Sequence, residues 1–128
     1  MAMTETTPFR ANVFDPNCPG RAVMEHIVSR WGVLVLGVLL DGTLRFGELR
    51  QAVGGVSEKM LAQTLQALER DGFIERAVHS TIPPRVEYTL TELGAATTDK
   101  LWEFVQMLED AMPHVLRSQA EYDSAAAA

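Results

Sequence analysis

Apolar residues recur along this chain at helical spacing in four places, at strand spacing in two, and once as an unbroken run. Val23, Met24, Ile27 and Val28, extended by Trp31, predict a helix from Arg21 to Trp31 with one buried face. Gly32–Leu40 is continuously apolar and stops at Asp41-Gly42. Periodicity leaves helix and strand both open there, and the valines lean toward strand. Phe46, Leu49 and Ala52-Val53 predict a short helix closed by Gly54-Gly55. Leu61, Leu65 and Leu68 predict the next, with Ser57 as N-cap, Glu58 in its first turn and Gly72 at its end. Phe73–His79 and Arg85–Leu90 read as strands of a hairpin whose tip, Ser80–Pro84, is stiffened by two prolines. Thr91 caps a last helix carrying Leu93, Leu101, Phe104, Val105, Leu108 and Met112, which Pro113 is expected to bend or interrupt. Residues 1–18, with Pro8 and Pro16 and with Pro19 just after them, read as an arm with one short turn around Phe9–Phe14, and 125–128 as an alanine tail. The pattern is mainly α with a small β-hairpin, an α+β chain without internal repeats.

Composition narrows the class. At 128 residues and 47% hydrophobic the chain is one domain with a real core. No apolar stretch is long enough to span a membrane, and the start lacks a secretion signal, so a cytoplasmic protein with no membrane partner is expected. A single cysteine, Cys18, fits a reducing compartment. The formal charge of −6 argues against nucleic acid until its distribution is read. Residues 1–20 carry −1, residues 21–86 balance eight bases against seven acids, and residues 87–128 carry −6. A balanced segment still presents a basic face when its acids point elsewhere.

Such a face is visible on the helix 57–71. Opposite its leucines, Lys59, Gln63, Gln66 and Arg70 line up at spacings of four, three and four, with no acid among them. Lysine and arginine reach phosphates and guanine edges, and glutamine pairs with adenine. A short helix, a glycine turn and this helix make a helix-turn-helix, and the hairpin behind it a wing.

Several blocks also resemble one family in order: Cys18-Pro19, Arg45-Phe46-Gly47-Glu48-Leu49, Asp71-Gly72-Phe73-Ile74, Pro83-Pro84-Arg85-Val86-Glu87-Tyr88 and Leu90-Thr91-Glu92-Leu93-Gly94. Together they are similar to the HxlR-type winged helix-turn-helix regulators, relatives of the MarR regulators, over roughly residues 17–94. The resemblance implies a cytoplasmic transcription factor that binds double-stranded DNA as a homodimer, and it selects helix for residues 32–41. Repression is the expected sign. The expected DNA contacts are Ser57, Lys59, Gln63, Thr64, Gln66 and Arg70 on the reading helix, and Arg45 and Arg50 at phosphates. Thr81 and Arg85 are expected on the wing, unless Arg85 pairs with Glu75 or Glu87. Thr64 and Gln66 stand where relatives often carry arginine, which implies weaker binding that depends more on low salt.

The expected organisation is an arm (1–18), a winged helix-turn-helix domain (19–91), a dimerisation region (92–124) and a tail (125–128). Leu101, Trp102, Phe104, Val105, Leu108 and Met112 are the expected dimer contacts, together with the first helix, because the last helix is apolar past half its circumference. Met24, Trp31 and Trp102 are expected to line a pocket for a small effector. Cys18, at a helix start where reactive thiolates occur, is a candidate redox sensor. No cofactor is expected. The scattered His26, His79 and His114 suggest no metal site, and the absence of nucleotide or nucleophile motifs argues against an enzyme. Two other uses of the scaffold remain open: a ligand-binding dimer with little or no DNA binding, and a protein-interaction module.

Overall fold

The computed structural model describes residues 9–128, the side chain of Thr81 excepted. The elements run α1 (Pro19–Ile27), α2 (Gly32–Val38) with a 3-10 turn (Leu39–Asp41), β1 (Leu44–Arg45), α3 (Phe46–Ala52), α4 (Glu58–Arg70), β2 (Ile74–Thr81), β3 (Pro84–Leu90) and α5 (Glu92–Ala127). The core gathers one face from each: Val35, Leu36 and Leu39 from α2 and its turn, Leu49 and Val53 from α3 and its end, and Leu61, Leu65 and Leu68 from α4. Phe73, Ile74 and Tyr88 close it from the sheet.

Local chemistry sets most boundaries as the sequence predicts. The Ser57 hydroxyl accepts the Met60 N–H at 3.1 Å, starting α4. Gly72, at φ +89°, ends it, because a side chain is strained in that conformation. Thr91 Oγ1 accepts the Gly94 N–H at 2.9 Å and donates to the Gly72 carbonyl at 2.7 Å, so one hydroxyl starts α5 and ties it to the end of α4. Gly94 packs so closely there that a Cβ would overlap the Phe73 carbonyl.

Other elements differ from the expectation. The apolar run 32–40 is helical: Val35 and Leu36 are fully buried, and neighbours on several sides erase the periodicity that marks a surface helix. The first helix stops at Ile27 rather than Trp31. Ser29 Oγ donates to the His26 carbonyl at 2.9 Å and accepts the Gly32 N–H at 3.1 Å, which turns the chain, and Trp31 becomes the N-cap of α2. The turns of the arm lie between Asn12 and Cys18, later than expected, and residues 1–8 fall outside the described residues.

The hairpin is joined by a third strand that the pattern did not show. The two-residue β1 pairs antiparallel with β3, Leu44 opposite Tyr88 and Arg45 opposite Glu87, giving the order β1-β3-β2. The β2–β3 register is irregular between Val78 and Ser80. Pro113 does not interrupt α5, which runs 36 residues and takes in Ala125–Ala127 of the tail. Pro113 and Glu109, four residues before it, are exposed, so the carbonyl that loses its N–H partner lies on a solvated stretch.

No single helix among the described residues is long and apolar enough to cross a membrane. The pair α1–α2 has the combined length, bent by 62°, but Val35, Leu36 and Gly37 of α2 are buried in the core.

Candidate nucleic-acid interface

The reading helix presents the stripe that its spacing predicts. With Leu61, Leu65 and Leu68 inside, Lys59, Gln63, Gln66 and Arg70 are all exposed, and Glu58 and Glu69 stand to their sides. Thr64 is half-buried, and its hydroxyl donates to the Met60 carbonyl at 2.8 Å, which leaves its methyl for contact. Ser57 spends its oxygen lone pair on the cap, and its hydroxyl proton has no acceptor among the described residues.

The two arginines expected at phosphates differ in their freedom. Both line one open hollow over α3 with Gly47, Glu48 and Gln51. Arg45 precedes α3, and its N–H donates to Glu48 Oε1 at 2.8 Å, so Glu48 is drawn to the helix start. Arg50 reaches forward to Glu58 in the first turn of α4 at 3.0 Å, an exposed pair that competes with a phosphate for the guanidinium.

Arg85 stands on β3 of the wing. Its guanidinium lies 3.4 Å from Glu87, not against Glu75, and the other Glu87 oxygen meets His79 Nε2 at 2.8 Å. Thr81 ends β2 opposite Pro84, and its side chain lies outside the described residues. Ile82 at the tip is 90% exposed.

Two features went unread in the sequence. Arg76 on β2 lines a groove with Gln66 and Glu69 of α4, adding a base on the wing side of the stripe. Strand alternation gives its face but not its nearness to α4. His26 of α1 meets Asp71, the residue that closes α4, at 2.6 Å, across 45 residues of sequence. No local signal announces that pair.

The remaining candidates lie apart from this face. Cys18 caps α1, is half-buried, and its sulfur accepts the Asn12 N–H at 3.2 Å. Met24, Trp31 and Trp102 are not brought together in one pocket. Trp102 packs its six-membered ring against Gly37, where a Cβ would overlap the indole, and lines a cavity with α2 residues. Trp31 lies under Arg30, 4.7 Å from the guanidinium carbon, and neither it nor Met24 lines that cavity. On α5, Leu101 packs against the core and Val105 lines the same cavity, whereas Phe104 and Leu108 are exposed and Met112 is half-buried.

A short helix and turn leading into a capped helix, followed by a paired wing, define a winged helix-turn-helix protein. Comparison with known proteins places it more closely. The model of the HxlR-like helix-turn-helix family matches residues 26–116, and the chain belongs to that family of transcriptional regulators. It is 50% identical over 110 residues to an uncharacterised helix-turn-helix-type transcriptional regulator, YtfH, of Escherichia coli strain K12, covering 86% of this chain and 87% of that one. A solved structure of ytfH from Salmonella typhimurium is 51% identical, with a TM-score of 0.82 over 86% of this chain and 98% of that one. The redox regulator HypR in its reduced form is 31% identical, with a TM-score of 0.69 over 78% and 98%.

Proposed function

We propose that this protein is a cytoplasmic, homodimeric, non-enzymatic repressor that reads DNA with α4. The observation that carries the reading is the acid-free stripe Lys59, Gln63, Gln66 and Arg70, exposed on a capped helix within a winged helix-turn-helix. Lys59 and Arg70 serve phosphates or guanine edges, and the glutamines read bases. Arg45 and Arg76 extend the basic set to α3 and β2, since neither is in an ion pair among the described residues. Two copies place two reading helices about one helical turn of DNA apart. The second copy packs on α5, where Phe104 (57% exposed) and Leu108 face outward. Bound over a promoter, such a dimer blocks access to it.

The test is a fluorescence-anisotropy titration of the DNA upstream of the protein's own gene at several salt concentrations. Lys59→Ala is expected to weaken binding to all sequences and to lower the salt slope by about one. Gln63→Ala is expected to relax preference at one base pair, by about 1–3 kcal/mol. An unchanged salt slope in the first variant overturns the phosphate role, and no salt-dependent binding at all overturns the reading.

A response to oxidant is supported by the half-buried Cys18 thiol at the start of α1 and by the similarity to HypR, a redox regulator by its printed description. Diamide is expected to change the DNA affinity of the native chain and not of Cys18→Ser. Equal behaviour of the two removes this part of the reading.

A further inference from the structure

The cavity that Trp102 lines lies between α2, the end of α3 and α5, and holds about 640 Å³, within the range of small-molecule sites. Small residues keep it open. Gly37 lets the indole lie against α2, and Ala52 and Gly54 form the wall where α3 gives way to the turn before α4. Leu34, Val38, Leu40, Val53 and Val105 make the rest of the lining apolar.

Its charged groups are of one sign. Among the described residues, Asp41 and Glu109, both exposed at its mouth, are the only ionisable lining residues. Neither is in an ion pair among the described residues. Asp41 closes the 3-10 turn, and Glu109 lies two turns beyond Trp102 on α5, so the carboxylates approach from two elements. An aromatic wall with two carboxylates that no described cation pairs favours a positive charge on an apolar body. An anion of the same shape meets both acids, and a neutral molecule leaves them unused.

We propose that this cavity is a binding site for an apolar organic cation, such as a quaternary ammonium or phosphonium compound. The proposal deepens the regulator reading and rests on it only for its consequence: the lining joins α5 to the turn that positions α4, so occupancy alters the approach of the reading helix.

The test uses the full chain with Trp31→Phe, so that Trp102 alone reports. Tetraphenylphosphonium is titrated against tetraphenylborate, which has the same shape and the opposite charge. The cation is expected to change Trp102 emission saturably and to bind at least about tenfold more tightly than the borate. Asp41→Asn combined with Glu109→Gln is expected to abolish that preference. Calorimetry on the native chain with the same two ions gives the same comparison without any substitution at Trp31. Equal binding of the two ions, or a preference that survives the double substitution, overturns the site. DNA binding of the native chain is measured separately. Intact DNA binding without cation preference overturns the site alone, and cation preference without DNA binding supports the site and overturns the regulator reading.

Discussion

Among single side chains, Glu87 controls how much positive charge the wing offers. It sits half-buried on β3, holds His79 and Arg85, and lies opposite Arg45 in the sheet. Glu87→Gln frees Arg85 and removes a negative charge near the phosphates. Binding is expected to tighten about threefold to tenfold at low salt, with the gain fading as salt rises; anisotropy at two salt concentrations checks this. His26 is a structural counterpart. Asp71 is nearly buried, with 6% of its side chain exposed, and it stands at the C-terminal end of α4, where the helix dipole disfavours a carboxylate. His26→Ala leaves that carboxylate without its partner and is expected to cost about 1–3 kcal/mol in urea unfolding, with Asp71→Asn in the same chain recovering part of it. The sequence shows the stripe on α4 because period alone places those residues. It does not show His26–Asp71 or the groove of Arg76, because tertiary packing brings those residues together.

Between elements, the junction of α4, β2 and α5 is held by backbone contacts at close range. Gly94 admits the Phe73 carbonyl, and Thr98, fully buried, satisfies its hydroxyl on the Gly94 carbonyl at 2.7 Å. Gly94→Ala is expected to force α5 outward and cost about 1–3 kcal/mol, read as a lower urea midpoint with an unchanged slope. The starts of α4 and α5 are legible in the sequence because a serine or threonine cap acts within three residues. The helix at Gly32–Val38 carries no such signal, since burial removes its period and only the family resemblance selects helix there. β1 was invisible for another reason: two residues carry no pattern, and Leu44 and Arg45 become a strand only where β3 offers its edge.

For the molecule as a whole, the acidity of −6 falls on residues 87–128, on the last wing strand and α5, while the segment bearing α4 is nearly balanced. Weak binding that depends on low salt is therefore expected. In the proposed dimer, the apolar outer side of α5 holds the second copy. Phe104→Glu with Leu108→Glu is expected to give a folded monomer by light scattering with unchanged helical circular dichroism, and to cut affinity for a two-fold site far more than for a half-site. A double variant that stays dimeric places the interface elsewhere.

The unbroken course of α5 through Pro113 has a mechanical consequence. Thirty-six residues of continuous helix have a contour of about 54 Å, from the wing junction to Ala127, with no break in the helix. In a two-fold pair such a rod acts as a lever. A swing of about 5° at one end carries a point about 40 Å away through about 3.5 Å, close to one base-pair step. Trp102 lies about 15 Å along the rod from the start of α5, so the same swing moves it by about 1.3 Å and the far end by more than three times as much.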